Sequence, residues 1–530
     1  MNYLQDSTPW WDGGTIYHIY VRSFSDSDGG GYGDLAGVLN HLDHLQTLDV
    51  DAIWLSPLMP SPNHDWGYDV ADYFDIMEDL GSLETLDALV LAAGRAGIKV
   101  LMDLVPNHTS DQHKWFLDAI SSKESTYRDY YVFADPGPAG SLPNNWIDAT
   151  GNSAWTLDEV SGQYYLHNFL PTQPDLNWWN PAVHAEFDKI LRFWFDRGIA
   201  GFRIDVAHGI YKDKLLRDDP PSGEVFSRFD HLGLREVYSK NRPEVHELFQ
   251  AWRAIADSYT PGRILLGETW VSSLQDLGKF YGHSDQLNLA LNFPFLLSTF
   301  DAPSLAATVD ATLDALGPEA IALWTGSNHD LSRFPTRWAD GHPSKIRLGL
   351  ALLATLPGTM ILYYGDELGL TDFPIPTEAL RDEMTMDAPT QTFLRDWARS
   401  PMLWDTSENR GFTREGTAPW LPVRKTGTDD VESQAKDPTS IFNLSIELLK
   451  LRRQFHFGRE SFHEVGLQDE VWTYEVAGLR ITGNFTDRAT QVSMGQQRYL
   501  STEHLWQTHD GVGDVELPPW SAVVVASPSP

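Results

Sequence analysis

Four carboxylates stand at or near the C-terminal ends of separate apolar runs. Asp205 closes Gly201-Phe202-Arg203-Ile204, and Glu268 closes Arg263-Ile264-Leu265-Leu266-Gly267. Asp103 lies in Lys99-Val100-Leu101-Met102-Asp103-Leu104-Val105, and Asp330 follows Ile321-Ala322-Leu323-Trp324-Thr325 through Gly326-Ser327-Asn328-His329. His108 and His329 sit beside two of them. On a strand, residues two apart share a face, so Arg203 and Asp205 can pair, and burying either alone is costly. Arg203 is therefore expected to keep Asp205 ionised. Glu268 has no neighbouring cation in sequence, which favours a raised pKa and a role as an acid. Carboxylates gathered from several strands, in a chain without cysteine, suit two chemistries: metal-assisted hydrolysis, or glycosidic bond cleavage with one carboxylate bare and one protonated.

Such a rim needs strands that run parallel and end together. Thr15–Val21, Asp51–Ser56, Lys99–Val105, Gly201–Asp205, Arg263–Glu268, Leu287–Phe295, Ile321–Thr325 and Met360–Tyr364 read as about eight strands. Helical spacing intervenes at Leu35–Leu48, Glu84–Ala96, Pro181–Arg197, Glu244–Tyr259 and Ile346–Leu356. That alternation predicts an α/β chain: a (β/α)8 TIM barrel with its site at the C-terminal strand ends. Residues 1–104 and 178–457 are assigned to the barrel and 105–177 to an inserted, loop-rich subdomain. Short alternating runs such as Val471–Val476, Leu479–Thr482 and Ala522–Val525 make 458–530 a C-terminal all-β sandwich domain.

The chain has 530 residues, 42% of them apolar, and a formal charge of −35. That charge argues against nucleic acid and anionic membranes as partners and fits a neutral small molecule. Twenty tryptophans suit stacking on sugar faces. No signal peptide or membrane span is read, so a cytoplasmic monomer or small homo-oligomer is expected. In Asp26-Ser27-Asp28-Gly29-Gly30-Gly31-Tyr32-Gly33-Asp34 the acids alternate with glycine as in a calcium loop. Asp26, Asp28, Tyr32 and Asp34 are the candidate ligands of a structural Ca2+, while the chemistry itself is expected to need no cofactor.

Asp103-Leu104-Val105-Pro106-Asn107-His108, Gly201-Phe202-Arg203-Ile204-Asp205, Gly267-Glu268-Thr269-Trp270 and Asn328-His329-Asp330 resemble, in order, four signature regions of the α-amylase superfamily of glycoside hydrolases. Gln173-Pro174-Asp175-Leu176-Asn177 resembles the extra motif of its oligo-1,6-glucosidase and α-glucosidase branch, and Arg395–Met402 that branch's R-D-x-x-R-x-P-M segment. The resemblance implies an exo-acting, retaining α-glucosidase that removes terminal glucose from short oligosaccharides. It casts Asp205 as nucleophile, Glu268 as acid and base, and Asp330 as the carboxylate that holds ring hydroxyls. Arg203 would orient Asp205, His108 and His329 would donate to hydroxyls, Tyr68 would form a platform and Phe169 a wall. Asp65 and Arg399 resemble the pair that grips the terminal hydroxyl and closes the pocket, and Asp103 a buried structural carboxylate. Two departures stand out: His208-Gly209 replaces the Lys-His of many endo-acting members, and Val206 resembles α-1,6-acting ones.

A transglycosylase or isomerising enzyme of the same superfamily is the nearest rival, separable by the products formed from concentrated maltose. A non-catalytic amylase-like protein would lack Asp205 and Glu268, and a metal-dependent hydrolase would lose activity in chelator.

Overall fold

The computed structural model describes residues 9–222, 233–271, 273–386, 394–425, 427–458, 462–494, 497–509 and 513–526. Eight strands form a parallel, nearly closed barrel. Their order runs from Leu323–Thr325 through Thr359–Tyr363, Thr15–Ile19, Ala52–Leu55, Lys99–Leu104, Gly201–Ile204 and Ile264–Gly267 to Leu289–Ala290. Alternation along each strand splits the apolar residues into two layers. Ile16, Leu101, Ile264, Leu266 and Ile361 fill the barrel interior, while Phe202, Ile204 and Leu265 face the surrounding helices. Pro181–Asp196 is one of these helices. Proline opens it, the Asn180 side chain accepts the Ala182 N–H, and Phe187, Ile190, Leu191 and Trp194 make its buried stripe.

Three regions differ from the sequence reading. The helix expected over Leu35–Leu48 is two, Leu35–Asn40 and Leu42–Thr47. His41 leaves helical geometry between them and stacks on Trp404 at 3.6 Å. Leu287–Phe295 yields only the short strand Leu289–Ala290, because Asn292 caps a new helical turn at Phe293–Leu296. The inserted segment carries order of its own: helix Lys114–Ala119 and an antiparallel sheet of Phe133–Ala134, Gln163–Leu166 and Trp155–Asp158.

At the C-terminus a six-stranded antiparallel sheet runs in the order His463–Gln468, Val471–Val476, Leu479–Asn484, Ser521–Ala526, Gln497–Ser501, Leu505–His509. It contacts barrel helix Pro343–Thr355, where the Thr355 and Tyr474 hydroxyls lie 2.6 Å apart. Thr490–Met494 and Gly513–Leu517 form a second, two-stranded sheet, joined to the first through Leu517, Val523 and Val525. No helix among the described residues is long and apolar enough to cross a membrane.

Gly201 is the tightest point of the site-bearing strand. A Cβ there would lie 2.3 Å from the Ile264 carbonyl oxygen and 2.2 Å from its Cγ2. Gly201→Ala is expected to destabilise the fold by about 1–3 kcal/mol, seen as a lower thermal unfolding midpoint. An unchanged midpoint would show that the two strands have slack here.

Candidate active site

Strand register brings the acids together. Asp103 is the parallel partner of Arg203, Arg203 of Leu266, and Ile204 of Gly267. One step further along, Asp205 stands opposite Glu268. All four side chains point to the inner face, and the result is a buried guanidinium shared by three carboxylates. Arg203 Nη1 lies 2.8 Å from Asp103 Oδ1 and 2.6 Å from Asp205 Oδ1, and Nη2 lies 3.0 Å from Glu268 Oε1. Trp54 Nε1 and the Tyr68 hydroxyl complete the shell of Asp103, at 3.0 and 3.2 Å.

The expectation that Glu268 lacks a cation is thus corrected. Arg203 is a neighbour in space that linear distance hides. Trp270 Nε1 also donates to Glu268 Oε1 at 3.2 Å, and the Val206 N–H to Oε2 at 2.9 Å. Val206 adopts φ +45°, a left-handed conformation that costs a β-branched residue about 1–3 kcal/mol. The turn holds its N–H on the Glu268 carboxylate.

Three carboxylates around one guanidinium repel one another, so the cluster holds protons that isolated acids would lose. Burial pushes Asp103 up to about 6, against the pull of Arg203. Burial also lifts Asp205 well above the usual range; Arg203 opposes this, and Glu268, Asp103 and Asp330 reinforce it. Arg203, paired with Asp205 alone in the sequence, is divided three ways in the free site, so Asp205 holds its proton to higher pH than that single pair implies.

Asp330 has the opposite setting. Burial would raise it, but His329, Arg395 and Arg399 outweigh burial and hold it well below the carboxylate range. Its Oδ1 receives Arg395 Nη1 at 3.1 Å and Arg399 Nη2 at 3.0 Å. His329 Nε2 lies 3.2 Å from Asp330 Oδ2 and 2.6 Å from the Tyr68 hydroxyl, and the two rings stack. Burial lowers His329 to about 3 and His108 to about 4. Phe169, half-buried, packs 5.1 Å from His108.

Asp65 and Arg399, expected to grip one terminal hydroxyl, do not bond each other directly in the free site. Asp65 Oδ1 meets Arg395 Nη2 at 2.7 Å, and Arg399 goes to Asp330 and the His329 carbonyl. Arg395, which also binds Asp382, ties the Asp65 loop to Asp330. Motif order alone could not choose between two arginines four residues apart.

Residues 18–458 match the model of the alpha-amylase catalytic domain. The chain belongs to the α-amylase family of glycoside hydrolases. A probable alpha-glucosidase of Rhizobium meliloti is 38% identical, over 85% of this chain and 84% of its own. An oligo-1,6-glucosidase of Parageobacillus thermoglucosidasius is 34% identical, over 97% and 98%. Among solved structures, an alpha-glucosyl transfer enzyme superposes with TM-score 0.90 at 34% identity, covering 98% of this chain and 100% of its own. The trehalulose synthase of Pseudomonas mesoacidophila gives 0.87 at 28%, over 98% and 99%.

Beyond the residues anticipated from sequence, this α-amylase-family site contains Arg395, Gln173, Asn107, Asp175 and Lys212. Gln173 Nε2 donates to Asp65 Oδ2 at 3.1 Å and lies 3.1 Å from His108 Nε2. The first four fall inside motifs quoted from the sequence; Lys212 carried no signal there. In the 26–34 loop, oxygens of Asp26, Asp28 and Asp34 lie within 4.8 Å of one another. Tyr32 turns its ring toward Trp420 and Arg22, so a tyrosine so placed would serve a cation through its main-chain carbonyl.

The electrostatics set a sign for pH dependence. If Asp205 is the attacking group, as its motif implies, it must be ionised to react, and Asp205 holds its proton to higher pH than a free aspartate. As pH falls, kcat/KM is expected to drop with a midpoint above about 3.9, the ordinary aspartate value. A profile measured from about pH 3 to 9 tests this, and an acid limb at or below the ordinary value contradicts it.

Proposed function

We propose that this chain is an exo-acting α-glucosidase that hydrolyses terminal, non-reducing α-linked glucose from short oligosaccharides with retention of configuration. The observation that carries the reading is the single guanidinium holding Asp205 and Glu268 on adjacent, in-register strands. Neighbouring strands lie about 4.7–4.9 Å apart, close to the about 5–5.5 Å between carboxyl groups that a covalent route uses. Asp205 attacks the anomeric carbon while Glu268 gives its proton to the departing oxygen. Water, deprotonated by Glu268, then releases glucose from Asp205.

Asp330, fixed in its ionised form by two arginines, accepts hydrogen bonds from ring hydroxyls. Tyr68 and Phe169 give the sugar its flat walls, with His108 and His329 as hydroxyl partners. The Asp65–Arg395–Asp330 bridge supports a closed end beyond one sugar, which is what exo action requires. The acidic surface fits a neutral α-glucoside and a cytoplasmic monomer or small homo-oligomer.

Glu268→Gln is expected to lower kcat/KM on maltose by about 10²–10⁴-fold, and Asp205→Asn by at least as much, with both variants folded. Near-normal turnover in either removes its assigned role. With concentrated maltose, free α-glucose should dominate the early products; dominant longer or rearranged disaccharides would make transfer the main reaction.

We also infer a structural calcium ion at the 26–34 loop. The Asp26 carboxyl, though raised by burial, is held below its usual range by Thr413 and the Gly31 and Gly29 N–H groups, so it is ionised as a hard cation requires. Asp26, Asp28 and Asp34 would hold the ion, stiffening the loop without entering the chemistry. Calcium at about 100 times its Kd should add about 2.7 kcal/mol of stability, and Asp28→Asn should abolish that shift. Identical melting in calcium and in chelator rules the site out.

A further inference from the structure

Three nitrogens face the Glu268 carboxylate, and they differ in what aims them. Arg203 is divided among three carboxylates, and the Val206 N–H is set by the backbone of its turn. The Trp270 Nε1–H, 3.2 Å from Glu268 Oε1, depends on side-chain torsions. A half-buried indole can turn about two bonds unless a neighbour fixes its plane. Phe293 is such a neighbour: its ring lies 3.6 Å from the Trp270 ring, centroid to centroid, with 20° between the planes. Phe293 is itself held. It is 2% exposed and opens the helical turn Phe293–Leu296, where Asn292 Oδ1 accepts the Phe295 N–H at 3.1 Å and Asn292 Nδ2 donates to Thr312 Oγ1 at 2.9 Å. The two backbones are pinned together as well. The Leu291 N–H donates to the Gly267 carbonyl and the Thr269 hydroxyl to the Leu291 carbonyl, both at 2.9 Å.

We propose that Phe293 is a positioning residue: by fixing the plane of the Trp270 indole it aims the indole N–H at Glu268 Oε1 and so holds the orientation of that carboxyl group. The role in turnover rests on the α-glucosidase reading; the link from Phe293 through the indole to the carboxylate does not. A hydrogen bond given to a carboxylate favours its ionised form. Without the stack the indole swings off and the bond is lost. Glu268 then keeps its proton to higher pH than in the wild type, while presenting it less well to the departing oxygen. The strand Leu289–Ala290 ends early, and the turn that follows is what carries Phe293 to the indole. Leucine at 293 would fill core space but offer no flat face, so it separates stacking from packing.

The test compares Phe293→Leu and Trp270→Phe, the latter keeping a ring on the stack but no N–H, with the wild type. On maltose, whose departing sugar needs a proton, kcat/KM should fall about 10- to 100-fold in both, mostly in kcat. On 2,4-dinitrophenyl α-glucoside, whose phenolate leaves without one, the fall should be about tenfold smaller. The basic limb of the kcat/KM profile on maltose should move up by about one pH unit. A side chain that only packs would slow both substrates alike, and a lost contact to the sugar would raise KM; neither moves the limb, and either result overturns the proposal. Phe293→Met, another side chain of core size without a flat face, stands in should Phe293→Leu fail to fold. Without substrate, ¹⁵N spectra of the indole N–H, assigned through Trp270→Phe, should show the wild-type Trp270 signal shifting with pH. Glu268→Gln and Phe293→Leu should each lose most of that shift. A wild-type signal indifferent to pH, or one that follows pH equally in Phe293→Leu, overturns the link. Inactivity of the wild type on both glucosides would sink the α-glucosidase reading and leave the spectra to decide the link.

Discussion

The structure turns on a buried arginine with too many acids around it. Arg203 is in contact with Asp103, Asp205 and Glu268, and removing it would leave three buried carboxylates uncompensated, a far larger loss than any one pair is worth. Within this cluster Asp103 and Asp205 hold their protons to higher pH than free carboxylic acids do. Acid–base chemistry at a sugar needs that condition. The strands supply it by register alone, since the partner of Arg203 on one side is Asp103 and the residue beyond Gly267 on the other is Glu268.

The same economy of cations recurs around the rim. The chain has 39 basic residues against 74 acidic ones, yet Arg203, Arg395, Arg399 and Lys212 are all buried there and each touches a carboxylate. A net charge this negative raises the cost of packing acids together. Placing the scarce cations inside, where dielectric screening is weak, does more than the same charges would do on the surface. Asp330 shows the effect from the other side: with two arginines on one oxygen it is held well below the carboxylate range, whereas Asp103 and Asp205, dividing one, are raised.

What could be read from the sequence follows from this geometry. Acids at strand ends, and the pairing of Arg203 with Asp205, are consequences of a two-residue period and needed no tertiary knowledge. The contact of Arg203 with Glu268 was invisible because it crosses between strands 65 positions apart in the chain, and with it the upward pull of Glu268 on Asp205. The Asp65–Arg395 contact was not foreseen, since loops have no periodicity to fix which side chain reaches across. The sheet of the inserted segment went unseen for a similar reason. Its first strand is Phe133–Ala134 alone, too short to show alternation. Lys212 left no trace because a single lysine reads as surface until its burial is known.

A division of labour results. The carboxylates proposed to react stand on neighbouring strands of a packed barrel, where a shift of one would move the other, so their spacing is insensitive to the loops. The residues proposed to face the rest of the sugar stand on segments from the Asp65, His108, Gln173 and Arg395 regions, joined by side-chain contacts rather than by strand register. Changes there alter which hydroxyls are met without touching the distance between Asp205 and Glu268. On that assignment linkage and chain-length preference would be set by the loops, and the reaction type by the strands. Val206 is the exception. It stands directly after Asp205, holds a strained φ, and gives its N–H to Glu268, so a substitution there acts on the shape of the pocket and on the Glu268 carboxylate at once.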